Sequence, residues 1–347
     1  MSASPTSANH RTPDYILTVD GRNITPRVDS RLESMSLTEC RGGDADQLDL
    51  TLSDYDGDLA IPTKDAVITL HLGWRGEPLV DKGTYVVDEA EHSGAPDKVT
   101  IRARSSEMVK DLRIRRELSH HNESINQIVG AMAARHGLSP RVDPDLGAIV
   151  IDHIDQTHES DLNFITRLAK RFDAVATVKK GHLLFLPING TPLPMLLLTR
   201  RSGDSHRYHS ADRQAYSGVR AYWHDSGSAK RRSALVGQSG NAKRLRETFA
   251  NEQDALAEAK AEWQRLQRGK ATFSLAMALG EPTLRPQSPV RVQGFKPQID
   301  ETEWLAVKVS HSIADGGFTT NVELETAGTE EALDAATGGD PLDDGSR

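Results

Sequence analysis

Residues 84–104 read TYVVDEAEHSGAPDKVTIRAR. Val86 and Val87 open a β-branched run, and on the return Val99, Ile101 and Ala103 alternate with Thr100, Arg102 and Arg104. A period of two gives the return strand one apolar and one polar face. Ser93-Gly94-Ala95-Pro96-Asp97 between the runs is turn chemistry, so the stretch reads as a β-hairpin. A second hairpin follows near the end of the chain, Glu303–Glu325, EWLAVKVSHSIADGGFTTNVELE. Tyr85 answers to Trp304, Val86 to Leu305, and His92-Ser93 to His311-Ser312, each pair 219 positions apart. The approaches match too. Pro62, Val67 and Ile68 lead to Gly73-Trp74, and Pro286, Val290 and Val292 lead to Gly294-Phe295. Landmarks recurring in the same order predict a duplicated β-domain. Gly73-Trp74 and Gly294-Phe295 are then expected at equivalent strand ends, with Val99 and Ile101 matching Val322 and Leu324 as inward residues.

A chain of 347 residues can hold two or three domains with cores of their own. The net charge is −8, but residues 328–347 hold six acids against one Arg, so the rest is close to −3. That balance argues against a dedicated nucleic-acid binder. The single cysteine, Cys40, excludes an internal disulfide framework. No apolar run reaches transmembrane length, so membrane insertion is not expected. The N-terminal MSASPTSANHRTPD lacks the apolar segment of a secretory signal.

Along the chain, Tyr15–Val19, Leu32–Thr38, Leu48–Leu52 and Ala66–Leu72 read as strands leading to the first hairpin. Short strands at regular spacing favour an antiparallel barrel or sandwich over alternating βαβ units. Ser105–Leu112 reads as a short helix and Arg113–Glu117 as a charged link. Ile125, Ile128, Val129 and Met132 then fall on one helical face, and Leu162, Ile165, Leu168, Ala169 and Phe172 on another. Ala148–Ile154 lies between them as a strand, which makes a small α/β insert. Val175–Val178 and Leu183–Leu186 form a hairpin, and Gln214–His224 and Lys230–Gly237 are further strands. The longest helical signal is 251–268, with Leu256, Ala259, Trp263 and Leu266 along one side. The fold class is mainly β with an α+β insert. The expected division is a disordered N-terminus (1–12), a first β-barrel domain (13–117), an α/β insert (118–178), a second β-barrel domain (179–327) and a disordered acidic tail (328–347).

Chemistry is harder to find. Asp54-Tyr55-Asp56-Gly57-Asp58 has the flavour of a calcium loop, but Leu59 stands where the loop needs glycine and Asp65 where it needs a bidentate Glu. It reads as an acidic turn. His153, Asp155, His158 and Asp161 cluster without the rigid spacing of a zinc site, and read as a solvated loop with a capping Asp. Arg200, Arg201, His206, Arg207, His209, Arg213 and Lys230-Arg231-Arg232 interleave with Tyr208, Tyr216 and Tyr222. Such a surface suits nucleic acid or an acidic partner, but in an acidic chain it reads as a charged loop on a barrel. Cys40 reads as a buried thiol. No nucleophile elbow, phosphate loop or dinucleotide fingerprint occurs. No catalytic, cofactor-binding or metal-ligating residue is nominated, and no cofactor.

Several stretches resemble the phage late control gene D protein family. They are Gly73-Trp74-Arg75-Gly76, Leu79 to Asp88, His92 to Asp97, Asp155 to Asp161, Tyr208 to Arg213 and Pro282 to Pro286. The resemblance spans about Pro13 to Ala327. The family supplies the baseplate hub of contractile-tailed phages and R-type pyocins, and is similar to the N-terminal part of type VI secretion spike proteins. What it implies is a homotrimer with two tube-type barrels per chain, a structural adaptor between the hexameric tail tube and the trimeric spike. The adaptor would line a channel that DNA only transits, in a virion tail baseplate or phage-tail-like particle assembled in the host cytoplasm. Tape-measure and baseplate wedge proteins are further candidate neighbours. The family brings no catalytic residues, so no enzyme activity is expected. Its insert is LysM-like at most, and the helix pair here carries no sugar-binding signature. The alternatives are a tail-associated peptidoglycan-binding or murein-degrading protein.

Overall fold

The computed structural model describes residues 11–347 except 43–44, 106–109, 180, 189, 191–192, 211–215, 226, 228, 329–334 and 337–347. The chain begins with β1 (Pro13–Val19), turns at Asp20-Gly21, and returns through β2 (Arg22–Asn23) to the single helical turn α1 (Thr25–Val28). Both turn residues have positive φ, which glycine takes without steric cost. Five strands follow: β3 (Leu32–Cys40), β4 (Gln47–Ser53), β5 (Val67–Trp74), β6 (Val80–Ser93) and β7 (Lys98–Ser105). They pair antiparallel in the order β3-β4-β7-β6-β5-β1. The period-two pattern decides which face is buried. Leu48, Leu50, Leu52, Val99, Ile101 and Ala103 point into one core, and their neighbours Asp49, Thr51, Thr100 and Arg102 point away.

After a 3-10 turn (Lys110–Arg113) comes a smaller unit. It comprises β8 (Arg115–Ser124), α2 (Ile125–Arg135), β9 (Ser139–Val142), α3 (Pro144–Gly147), β10 (Val150–Ser160), α4 (Asp161–Arg171), β11 (Ala174–Lys179) and β12 (His182–Pro187). α2 opens on a capping box between Ser124 and Gln127, and α4 on the Ser160 hydroxyl. The helix faces read from the sequence are the buried ones: Ile125, Ile128, Val129 and Met132 meet Ile165, Leu168 and Ala169 in one core. Two local expectations are corrected. Arg113–Glu117 is not a link, since β8 starts at Arg115 and pairs with β10. The short helix at Ser105–Leu112 is only the 3-10 turn at its end, with 106–109 outside the described residues. Leu183 and Phe185 of β12, placed with the second barrel by the division at residue 178, pack in this insert core.

The remainder contains β13 (Leu196–Thr199), β14 (Ser205–Ser210), β15 (Gly218–Asp225), β16 (Lys230–Gly237), β17 (Ala242–Phe249) and α5 (Glu252–Arg268). Then come β18 (Ala271–Met277), β19 (Pro289–Gln293), α6 (Pro297–Asp300), β20 (Trp304–Ala314) and β21 (Gly317–Thr326). β15, β16 and β17 form a separate sheet, on which Ala255 and Ala259 of α5 pack against Val219, Ala221, Ala234 and Val236. Small residues on that helix face let it sit close to the strands. Phe273, Leu275, Val290, Trp304, Val322 and Leu324 form a different core. A two-residue strand, β22 (Ala335–Ala336), pairs with β16. The expected disorder of residues 1–10 and of most of the tail falls outside the described residues.

The order β14-β18-β21-β20-β19-β13 in this last part repeats β3-β4-β7-β6-β5-β1 strand for strand. His92 pairs with Val99, and His311 with Thr320. Each hairpin carries a bulge at the same place, between Val87 and Glu89 in one and Ala306 and Lys308 in the other, again 219 positions apart. The return strands therefore correspond at 221, so Ile101 matches Val322 and Ala103 matches Leu324. The sequence match of Val99 and Ile101 to Val322 and Leu324 is two residues out of register. An even slip keeps the inward face, and all four residues are buried. The Gly-aromatic landmarks are not equivalent either. Ile68 faces Tyr85 and Val290 faces Trp304, and from those anchors Gly294 comes one residue earlier than Gly73. One strand departs further: β1 joins β5 antiparallel, whereas β13 joins β19 parallel.

Candidate assembly interface

The two runs meet through β3 and β20, which pair antiparallel from Lys308 opposite Cys40 to Ala314 opposite Ser34. One sheet thus continues through β14-β18-β21-β20-β3-β4-β7-β6. Across the seam the hydroxyls of Thr38 and Ser310 lie 3.1 Å apart. Beneath it, the indole Nε1 of Trp74 donates to the carbonyl of Gly280 at 3.1 Å, and the Trp74 ring sits 5.1 Å from that of Phe318. A Cβ on Gly280 would come within 2.6 Å of the Phe318 ring, so glycine is required for this close approach.

A buried polar cluster lies at the same seam. Lys82 Nζ donates to Glu39 Oε2 at 2.9 Å, to the Leu284 carbonyl at 3.1 Å and to His311 Nε2 at 2.9 Å. These contacts use all three ammonium protons. Burial would raise the Glu39 carboxyl, but the Lys82 charge beside it outweighs burial and holds it down at about 2. Burial, reinforced by the Lys82 charge, pushes His311 below its ordinary value. A neutral His311 therefore accepts from Lys82 at Nε2 and donates from Nδ1 to Thr320 Oγ1 at 2.9 Å. Lys82 and Glu39 belong to one run, and His311, Thr320 and Leu284 to the other. A cleft of about 450 Å³ opens beside this cluster, lined by Cys40, Asp81, Tyr85, Leu184 and Arg285 among others. Cys40 is half-buried there rather than enclosed in a core.

The residues singled out by sequence are dispersed. Asp54 accepts from the Leu59 backbone at 2.9 Å, and Asp56 is paired with Arg31 at 2.6 Å, as a closed acidic turn requires. His153 pairs with Asp155 and stacks on His121 at the surface, in β10 rather than a loop. Asp161 is not a solvated cap. Its side chain is fully buried and receives Gln156 at 2.8 Å, Arg135 at 2.8 Å, His136 at 2.7 Å and Arg116 at 3.2 Å. Burial would raise its carboxyl, and these bonds and the Arg135 charge lower it instead. The basic–aromatic set divides between two sheets. His206, Arg207, Tyr208 and His209 lie on β14, a strand rather than a loop, whereas Arg231 stacks over Tyr222 at 4.0 Å on the α5 sheet. Among the described residues no group of three or more His, Cys, Asp or Glu is placed to hold a metal ion.

The seam cluster has no local signature in the sequence, because Lys82 lies in the polar Asp81-Lys82-Gly83 stretch of β6 and its partners Glu39 and His311 are 43 and 229 positions away. What the sheet presents outward is polar. Ser36, Thr38, Asp49, Thr51, Ser310 and Asn321 share the face opposite the cores. Two of the open edges of this sheet among the described residues lie on β14 and on the far part of β6. β14 pairs only with β18, and β6 beyond Val87 pairs only with β7.

Residues 46–317 match the model of a family described as phage tail baseplate hub (GPD). The chain is 40% identical over 360 residues to the probable baseplate hub protein of Escherichia phage P2, covering 90% of this chain and 93% of that one. The corresponding protein of Escherichia phage 186 is also 40% identical, with 90% and 92% covered. Among solved structures, the 43 kDa tail protein of prophage MuSo2 from Shewanella oneidensis is similar in fold, with a TM-score of 0.68 at 18% identity over 91% of this chain and 99% of that one. A type VI secretion component of Escherichia coli gives 0.55 at 16% identity over 89% and 76%.

Proposed function

The chain belongs to the phage tail baseplate hub family, and from that premise we propose that it joins the tail tube to the spike as a homotrimer. Each chain supplies two tube-type barrels, built on the β1–β7 run and the β13–β21 run. Three chains thereby present six similar surfaces to a hexameric tube and a threefold end to a trimeric spike. The single observation that supports this reading is the repeated strand order with its bulge at the same position in both hairpins. A ring needs heterologous contacts, and a duplicated unit makes one of them inside the chain. The polar, hydroxyl-rich face of the continuous sheet suits the wall of an aqueous channel through which DNA passes. Tape-measure and wedge proteins are the further neighbours in this scheme, and the insert sits at the rim.

In this reading the role is structural, and the buried charges of Lys82 and Asp161 serve to hold elements together, Lys82 through Glu39 and Asp161 through Arg135. The test is capture of the full chain, tagged, from cells producing the tail. Retention of both tube and spike proteins is expected; retention of neither contradicts the adaptor reading. Clearing of a cell-wall suspension by the pure chain, abolished by a carboxylate substitution, would establish the murein-degrading alternative.

A further inference from the structure

The small sheet of β15, β16 and β17 has two unlike faces. Val219, Ala221, Ala234 and Val236 turn to α5. The alternate residues turn away from it. Arg220 stands opposite Leu235 on β16 and beside Arg244 on β17, Tyr222 opposite Ser233, and His224 opposite Arg231. This outer face is basic, and Arg231 lies over the Tyr222 ring at 4.0 Å. Arg232, on the α5 face, is paired with Asp225 at 2.8 Å. Among the described residues no acid stands within ion-pair distance of Arg220, Arg231 or Arg244. The free edge of β16 is only half covered. Val236 and Leu235 pair with Ala335 and Ala336 of β22, whereas Lys230 to Ala234 pair only with β15 among the described residues. We propose that residues 337–347, which lie outside the described residues, continue β22 along the open half of β16 and lay their acids on the basic face, as a strap supplied by the chain itself.

The pairing already in place fixes the register. β22 runs antiparallel to β16 with Ala335 on Val236 and Ala336 on Leu235, so four further residues on each strand bring Asp340 opposite Arg231. Two paired strands rise equally per residue, so the match holds along the edge. The side-chain period of two then puts Asp340 on the outer face, beside Arg231. Gly338 and Gly339 between them add no side chain to either face. Pro341 falls opposite Lys230, and proline is accommodated on an edge strand. Charge selects the occupant. Residues 337–347 hold Asp340, Asp343 and Asp344 against one basic residue, Arg347. Opposite charges facing each other across strands stabilise the pair, and like charges weaken it. Proximity favours the same segment: residue 337 follows Ala336 directly onto the open half of the edge, whereas a strand from another molecule bears the full cost of association.

The test uses the full-length chain with Cys40→Ala, so that no native thiol competes. Asp340→Cys with Arg231→Cys should bridge on mild oxidation within one chain, which stays monomeric on a denaturing gel and becomes inert to alkylation. Gly339→Cys with Arg231→Cys points to opposite faces and should keep both thiols. Equal bridging by the two pairs marks a loose segment, bridging into dimers marks an occupant from another copy, and bridging by neither marks an empty edge. Each of these three results overturns the proposal. A second measurement keeps the native cysteine. Hydrogen exchange in residues 230–234 should be slow in the native chain and lose its protection in Asp340→Arg, which sets like charges opposite each other, while β15 keeps its own. Identical exchange in the two chains would overturn the strap. The strap and its failure are both independent of the hub reading.

Discussion

Lys82 Nζ lies 2.9 Å from His311 Nε2 across 229 residues of chain, in a buried contact that ties the first strand run to the second. Lys82 also neutralises Glu39, so the joint between the two runs holds an ion pair out of water. Such a pair is costly to break by halves, because the remaining charge stays buried without a partner. Lys82→Met should therefore destabilise the chain by about 3–5 kcal/mol. The double change Lys82→Met with Glu39→Met should recover most of that loss. Denaturant titration of the three chains measures both. Equal losses in single and double variants would mean that packing, and not charge, sets the cost.

The same cluster predicts a pH dependence. His311 is held below its ordinary value of 6.5 by burial and by Lys82. As pH falls through 6.5, the unfolded chain takes up a proton that the folded chain refuses, and stability drops. Glu39, held at about 2 against 4.5, adds a further loss below pH 4.5. The melting temperature should decline from pH 8 to pH 5, and His311→Asn should flatten that decline. An unchanged slope in the variant would remove His311 from the explanation.

Gly280→Ala should cost about 1–3 kcal/mol, the usual penalty of overpacking, since its Cβ would meet the Phe318 ring at 2.6 Å. Gly316→Ala, where a Cβ would meet nothing within 4 Å, is the control and should change little. Thermal melts of both variants decide it.

Asp161→Ala should remove about 3–5 kcal/mol from the insert, because Arg116, Arg135 and His136 would lose a buried counter-charge. Hydrogen exchange should show lost protection in α2 and α4 and little change in β3 or β20. Uniform loss across the chain would mean that the insert and the main sheet unfold as one unit.

The legible parts of the sequence were those where one face is buried. Val99, Ile101 and Ala103 announce a strand because the alternate residues meet water, and Ile125 to Met132 announce a helix for the same reason. β14 escaped notice because all six of its residues are exposed and SHRYHS shows no alternation. β8 escaped for a similar cause, since in its exposed first half Arg115 to Ser119 offers charge on both faces. The Asp161 site was illegible because its donors come from positions 45, 26 and 25 residues away as well as from Gln156. No local spacing encodes such a contact. The repeat itself was visible, but its register was not. Six residues separate the paired His92 and Val99 and eight separate His311 and Thr320, so the return strands correspond at 221 while the outgoing strands correspond at 219.

In the proposed assembly a duplicated strand run lets a threefold ring of chains meet a hexameric tube. Native mass spectrometry of the full chain in complex with its spike measures this most directly. Three copies of the chain per spike trimer is the predicted result; a stable complex holding two or six copies would contradict it.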